Sequence, residues 1–239
     1  MKFTIVMLLA LAATIQATSH TDPWLEGTYV NVFAPSGMKL RAQPNQNSEV
    51  LDIVRYADQV KILNTFDYCD DHFDRIDWID GHWILVDYEG VTGYLFDGYL
   101  SPLPFPSSED EICSDGYSYA YTLGHYLDQH YPTTQVVDSS AYSLTYLLSN
   151  GSKVKRSVSD NYWTIEMQID GMKISEILNL MRSMVPDRRT RSTFEKSLLF
   201  IENSRGEIDQ IKVNLGDPVH IRKMPNGKIL VKAKGYIGC

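Results

Sequence analysis

The stretch that spans residues 82–101, HWILVDYEGVTGYLFDGYLS, constrains the fold most, because it has the pattern of two β-strands joined by a tight turn. Residues 83–88 are strand formers, and apolar side chains fall on both faces of the expected strand, so both faces need cover. Glu89-Gly90 turns the chain before a second strand at residues 92–96. In that strand Gly93 has no side chain to pack, which indicates a bulge or the close approach of another backbone. The stretch therefore predicts a hairpin in a small β-barrel.

The region upstream of this hairpin carries a second pattern. Residues 34–63 contain an L-R-x-x-P segment, followed by a strand, a turn and a V-x-I-L strand. Residues 83–100 then follow the pattern W-x-x-V-x-Y-x-G-x-x-G-Y-L-F-x-G-Y-L. In this order the two patterns resemble the bacterial SH3 (SH3b) domain family over residues 29–101. The matching residues are Leu40, Arg41, Pro44, Val50, Leu51, Tyr56, Val60, Leu63, Trp83, Val86, Gly90, Gly93, Tyr94, Gly98, Tyr99 and Leu100.

The resemblance implies an all-β SH3-like barrel that binds a cell-wall or peptide ligand. In such a barrel the aromatic side chains least needed for the core are candidates for ligand contact, since flat aromatic faces bind sugars and peptides well. The alternative for Tyr94 and Tyr99 is that their rings only close the barrel. The four candidate contact residues are Trp83, Tyr94, Phe96 and Tyr99.

The N-terminus has the order of a secretory signal peptide. Met1-Lys2 is followed by an apolar run over residues 3–13 and by a small-residue cleavage site at residues 15–17. The apolar run is too short for a membrane-spanning helix, which needs roughly 18 apolar residues. We therefore assign residues 1–18 to a signal peptide and expect a secreted or periplasmic protein with no stable membrane span.

Composition places one domain boundary in the chain. Residues 105–116 follow a proline-rich stretch, are polar and acidic for most of their length and end in glycine, so we interpret them as a linker. The linker separates the barrel, at residues 19–104, from a second domain at residues 117–239. With 239 residues the chain is long enough to form two cores.

The second half of the chain resembles no family known to us, but its periodicity predicts an α+β domain. Apolar spacing predicts helices at residues 117–131 and 174–185. We interpret the basic clusters at residues 153–156 and 188–191 as solvated loops. The domain is therefore expected to contain about two helices and a mostly antiparallel sheet. Strand patterns cover residues 136–148, 163–169, 197–201, 208–215, 219–224 and 229–233.

The charge balance excludes some partners. A formal net charge of −8 and a pI near 5.2, with no basic stripe in the sequence, argue against general binding to nucleic acid or to anionic membranes. Residues 66–81 hold six aspartates, but their spacing does not follow the 1-3-5 ligand pattern of a calcium loop. We interpret this segment as a solvated acidic face and predict neither a metal site nor a cofactor. Four apolar side chains interleaved with the aspartates favour a two-sided hairpin or a wide loop packed on the barrel: Phe73, Ile76, Trp78 and Ile79.

Three cysteines, Cys69, Cys113 and Cys239, lie in a chain that we expect to be exported, so at least one is unpaired or pairs with another chain. Three internal pairs are possible and the sequence does not rank them; a bridge between Cys69 and Cys113 would close a loop of about 45 residues and stabilise the fold by about 4 kcal/mol. A catalytic role is the alternative, because SH3b domains often precede papain-like cell-wall peptidases of the NlpC/P60 kind. Cys113 would then be the nucleophile and His220 the base. Against this reading, Ile112 stands where those enzymes have Asp.

The sequence therefore predicts an exported, non-catalytic binding protein whose partner is peptidoglycan or an envelope protein or peptide. One alternative is a structural or assembly role in the envelope, in which an exposed edge of the C-terminal sheet pairs with a partner strand. The other is a cell-wall hydrolase of the NlpC/P60 type. None of the three involves nucleic acid.

Overall fold

In the computed structural model of this chain, most of the sequence folds into two antiparallel sheets of eight strands each and three α-helices. The predicted signal peptide, and with it the predicted export, lies outside the described residues, as do Cys69, Cys113 and Cys239. The proposed disulfide and the proposed cysteine nucleophile are therefore not tested by the fold. The structure describes residues 24–64, 72–106, 119–185 and 188–236.

The first sheet contains the region that resembles SH3b domains. Its strands follow the order β3-β2-β7-β6-β4-β1-β8, and β5 pairs with the beginning of β6. Every strand pair in it is antiparallel. The strands are β1 (Tyr29–Val32), β2 (Met38–Arg41), β3 (Val50–Val54), β4 (Gln59–Asn64), β5 (Phe73–Ile76), β6 (Ile79–Tyr88), β7 (Val91–Phe96) and β8 (Leu100–Ser101).

The predicted hairpin is confirmed as β6 and β7. Tyr88 pairs with Val91, and Glu89-Gly90 forms the turn with both residues at positive φ. The close approach predicted at Gly93 is also present, because a Cβ at this position would lie 2.9 Å from the carbonyl oxygen of Arg41 on β2. The strands β2 and β7 thus lie so close together at residue 93 that only a glycine fits there.

Alternating apolar side chains form the core of the first sheet, as period-two patterning requires. Nine of them are almost fully excluded from solvent: Val30, Val32, Leu40, Val54, Val60, Ile62, Val86, Leu95 and Leu100. They come from seven different strands, so the core depends on the complete sheet and no single hairpin contains it.

The second sheet occupies the C-terminal half. Its order is β13-β14-β15-β16-β12-β11-β10-β9, again with all pairs antiparallel. The helices α1 and α2 pack on one face of it, and no helix among the described residues is long and apolar enough to cross a membrane. The elements are α1 (Tyr119–His130), β9 (Thr133–Ser139), β10 (Ser143–Leu148), β11 (Lys153–Val158), β12 (Tyr162–Ile169), α2 (Ile174–Ser183), α3 (Arg188–Lys196), β13 (Leu198–Glu202), β14 (Ile208–Val213), β15 (Val219–Lys223) and β16 (Ile229–Tyr236).

Three expectations about the second half need correction. The described residues form three α-helices where about two were expected, since the basic segment at residues 188–191 begins α3 and is not a loop. The basic segment at residues 153–156 is likewise part of a strand, β11. The single strand expected at residues 136–148 is a hairpin, because the chain reverses between β9 and β10. The mostly antiparallel sheet itself is confirmed.

Candidate ligand-binding cleft

A cleft with a volume of about 1150 Å³ lies where the first sheet meets α2, α3 and the edge strand β13. The two halves of the chain contribute its opposite sides, so neither half contains the complete cleft. Its lining residues are Ala34, Pro35, Ser36, Gly37, Met38, Lys39, Arg41, Gln46, Arg75, Ile76, Asp77, Trp78, Trp83, Phe96, Tyr99, Arg182, Glu195, Leu198, Phe200 and Glu202.

Three of the four predicted contact residues line this cleft. Trp83 is 3% and Phe96 1% exposed, and their rings lie 5.9 Å apart between centroids, so they present little free surface. Tyr99 is half-buried beside Phe96, and burial raises the pKa of its hydroxyl to about 12. Tyr94 is half-buried against the core and is not part of the lining. Three of the four candidates therefore lie at the cleft and Tyr94 does not, and their contact with a ligand stays a prediction.

The most exposed aromatic of the cleft is one that the sequence analysis did not select. Trp78 lies at the two-residue turn between β5 and β6, and 58% of it is exposed. Its ring stacks on that of Phe200 from β13, with centroids 6.2 Å apart and an interplanar angle of 17°. An aromatic pair therefore joins the two halves of the chain across the cleft.

The turn that carries Trp78 has an unusual backbone. Asp77 has φ 51° and Trp78 φ 63°, so two consecutive residues other than glycine lie in the left-handed region. For a bulky side chain this conformation costs energy, and such outliers are concentrated at functional sites. Trp83 supports the same hairpin, since its indole Nε1 donates a hydrogen bond to Asp74 over 3.1 Å.

Charged groups of both signs surround the aromatic floor. Arg75 forms ion pairs with Asp80 and Glu202, which ties the β5–β6 hairpin to the second sheet. On the helical side Arg182, which is 8% exposed, donates two hydrogen bonds to the carboxylate of Glu195, over 2.8 and 2.9 Å. Such bidentate pairs are geometrically specific, so these side chains are held in place before any ligand binds.

A buried polar cluster holds the two halves together beside the cleft. The ammonium of Lys173 contacts the carboxylate of Asp97 over 2.5 Å and lies 3.7 Å from the ring centroid of Trp24. Glu176 in α2 is 1% exposed and accepts hydrogen bonds from the Ser101 hydroxyl and from the Lys173 backbone N–H. Burial raises the pKa of Glu176 to about 7, although these donors act in the opposite direction.

Of the two residues considered for catalysis, the structure describes only His220. His220 lies exposed on β15, and Cys113 is outside the described residues, so their separation is not tested. Among the described residues no group of three or more His, Cys, Asp or Glu side chains could hold a metal ion.

Sequence reasoning missed Trp78, Phe200 and the helical side of the cleft. Trp78 falls in the aspartate-rich segment at residues 66–81, where an acidic face and a hairpin or wide loop packed on the barrel were expected, but no ligand contact. Its only signal was a large aromatic side chain in a polar segment. Phe200 had no signal of its own, because its role depends on a contact with a residue far away in the chain.

Comparison with known proteins gives a family match for one segment of the chain. No curated protein matches the chain. Among solved structures, that of NlpC2 from Trichomonas vaginalis aligns with 88% of this chain and 73% of the other, at 12% identity and a TM-score of 0.23, a similarity too low to support any argument. Residues 36–101, from the turn before β2 through β8, match the bacterial SH3 domain, which confirms the family predicted from the sequence.

Proposed function

We propose that this chain is a non-catalytic binding protein of the cell envelope and that the cleft binds a peptide-bearing cell-wall ligand. The proposal rests first on the bacterial SH3 match, since that family is associated with cell-wall and peptide ligands. The observation that carries it is the exposed Trp78, stacked on Phe200 across a cleft whose floor is formed by matched residues. Because one fold can bind many ligands, the class of ligand is inferred from the side chains that line the cleft.

The chemistry of the cleft suits a ligand that has both apolar and charged groups. The exposed face of Trp78 offers a platform for a sugar ring or an apolar side chain. Lys39 and Arg41 line one side of the cleft and offer partners for anionic groups, whereas Glu195 and Glu202 on the other side are already paired with Arg182 and Arg75. A short peptide joined to a glycan presents such a combination of groups.

The domain division and the location of the protein are part of the same proposal. We infer that residues 19–104 form the SH3-type barrel, that residues 117–239 form a separate α+β unit, and that residues 1–18 direct export. Expression of the two fragments tests the division: each should unfold in a cooperative transition of its own. N-terminal sequencing of protein recovered from the expressing cells tests the removal of the signal peptide.

Sedimentation with insoluble peptidoglycan tests the proposed binding. The chain from residue 19 to residue 239 should appear in the pellet, and Trp78→Ala and Phe200→Ala should each reduce the bound fraction. Tyr142→Ala is the matched control, because Tyr142 is an aromatic residue, 68% exposed, in the turn between β9 and β10. Equal binding by Trp78→Ala and the unmodified protein would exclude the cleft as the binding site. Release of soluble wall peptides during the incubation would favour the hydrolase alternative.

A further inference from the structure

The second sheet has a strongly cationic face on the side away from α1 and α2. In the five strands β11, β12, β14, β15 and β16, the outward-facing positions hold six cations and a single carboxylate. The hydrogen-bonding register aligns some of them in one row, in which Lys155, Glu166, Lys232, His220 and Lys212 are consecutive cross-strand neighbours. The cations of this face are Lys153, Lys155, Lys212, Arg222, Lys232 and Lys234.

Most of these cations have no carboxylate partner among the described residues. Lys232 pairs with Glu166 over 2.8 Å, and the other five make no ion pair with any residue that the structure describes. Soluble proteins ordinarily intersperse both signs of charge on a solvated sheet. A block of one sign is more notable here, because the whole chain carries a net charge of −8. Such a face attracts anions and raises their local concentration.

The same face contains a groove with a volume of about 990 Å³. Residues 216–218, in the connection between β14 and β15, contribute to its lining together with Lys155, Lys232 and Lys234. A Cβ at Gly235 would collide with the Asp217 carboxylate, so this connection packs closely on the end of β16. None of the residues that line the groove lines the Trp78 cleft, and the two are therefore separate candidate sites.

An aromatic pair lies at one end of the groove. The rings of Tyr162 and Tyr236 are 4.4 Å apart between centroids, and their hydroxyl oxygens are 2.7 Å apart. The Lys234 ammonium lies 3.9 Å from the ring centroid of Tyr162, whereas Tyr236 is 70% exposed. The pair thus offers one open ring face and two hydroxyl groups next to the lysines.

We propose that this groove binds an acidic polysaccharide, a chain of sugar rings that carry carboxylate or phosphate groups. The open face of Tyr236 would stack on one ring, and the lysines would contact anionic groups along the chain. One strand lies between Lys155 and Lys232, so the two residues are roughly 10 Å apart. This distance matches two anionic groups on sugar rings about one disaccharide apart. It is too long for two anionic groups on the same ring. The inference does not depend on the function proposed for the cleft.

Two other anionic partners fit the groove less well. A bilayer surface is planar. It fits this face poorly, because the connection between β14 and β15 and the pair Tyr162 and Tyr236 line a groove there. Single-stranded nucleic acid is usually bound by several aromatic platforms for successive bases and favours arginine, whereas this face has one platform and one arginine among its six cations.

Binding of polygalacturonate by the chain from residue 19 to residue 239 tests the inference, with neutral dextran as the reference glycan. The double variant Lys155→Gln/Lys234→Gln should bind polygalacturonate about tenfold more weakly. The control Lys61→Gln/Lys196→Gln removes the same charge from positions outside this face and should bind as the unmodified chain does. Trp78→Ala should also leave this binding unchanged, so a failure of the cleft proposal is distinguishable from a failure here.

Three results would overturn the inference. The first is binding of dextran and polygalacturonate with equal affinity. The second is equal loss of affinity in the test and control double variants, which would show a general charge effect. The third is tighter binding of a mixed-sequence single-stranded DNA, or of vesicles that contain phosphatidylglycerol, with the same dependence on Lys155 and Lys234. In that case the face would serve another class of partner.

Discussion

The hydroxyl of Ser101 donates a hydrogen bond of 2.9 Å to the carboxylate of Glu176, although the two residues lie 75 positions apart. Ser101 is the last residue of the bacterial SH3 match, and Glu176 lies in the first turn of α2. Both residues are 1% exposed. The last residue of the SH3 segment therefore contacts a buried carboxyl group from the other half of the chain. The protonation state of Glu176 consequently affects the free energy of unfolding of the whole molecule.

The first prediction concerns the pH dependence of stability that Glu176 causes. Burial raises its pKa in the folded chain to about 7, from an ordinary value of 4.5. Since the folded protein holds this proton more tightly than the unfolded chain, the contribution of Glu176 is most favourable below about pH 4.5 and is lost as the pH rises through about 7. The loss amounts to at most about 3 kcal/mol.

Urea denaturation at pH 5 and pH 8 measures this loss when the variant Glu176→Gln is compared with the unmodified chain. The amide keeps an acceptor for Ser101 but does not ionise, so the unmodified chain should lose more stability between the two pH values than the variant. Carboxylates with lowered pKa, such as Glu166 beside Lys232, contribute to both proteins and cancel in the difference. If the free energy of unfolding depended on pH identically in both proteins, ionisation of Glu176 would not destabilise the folded chain.

The second prediction concerns the contact between Lys173 and Asp97. Asp97 is 1% exposed and also accepts a hydrogen bond from the backbone N–H of His82 over 2.6 Å. Lys173→Met would leave this buried carboxylate without its cation, and we expect a loss of about 3 kcal/mol in the free energy of unfolding. Lys228→Met is the control, because its ion pair with Asp170 is more exposed and should contribute less than about 1 kcal/mol. Equal losses in the two variants would mean that burial of Asp97 does not matter.

The third prediction tests the close approach at Gly93. A Cβ there would lie 2.8 Å from Cγ of Leu40 and 2.9 Å from the Arg41 carbonyl oxygen, and the second of these belongs to a backbone that cannot easily move. Gly93→Val should therefore lower the free energy of unfolding by about 1 to 3 kcal/mol. Thr92→Val, at the exposed neighbouring position of the same strand, should have little effect. A melting temperature for Gly93→Val that is not lowered would contradict the crowding.

Local patterns predicted much of the fold, and they failed where tertiary contacts decide the structure. The β6–β7 hairpin follows from apolar alternation and the Glu89-Gly90 turn. The helix α3 did not show in the sequence, because Phe194 is the only aromatic or aliphatic residue of RRTRSTFEK, so no apolar stripe marks the helix. Burial of that one ring beside Tyr119 anchors a segment that otherwise reads as a charged loop.

The cleft itself was not predicted, and only some of the residues that line it were selected, for a similar reason. The family pattern contains Trp83, Phe96 and Tyr99, and all three residues line the cleft. The contact of Trp78 with Phe200 joins a turn to the edge of a different sheet, and no spacing along the sequence encodes such a contact. A hairpin or wide loop was expected over residues 66–81, but its turn was not located, because tight two-residue hairpins are usually recognised by Asn-Gly or a related pair, and Asp77-Trp78 is not one.

The last prediction concerns the backbone at Trp78. Its φ of 63° is left-handed, a conformation that costs a residue with a Cβ roughly 1 to 2 kcal/mol and glycine almost nothing. We therefore expect Trp78→Gly to unfold with a free energy about 1 kcal/mol higher than Trp78→Ala, the reverse of the order found at ordinary strand positions. Both variants lose the stacking on Phe200, so urea denaturation of the pair reports the backbone alone. Both should also lose peptidoglycan binding to the same extent, because the indole provides the contact surface. A glycine variant less stable than the alanine variant would show that residue 78 is not held in the left-handed region.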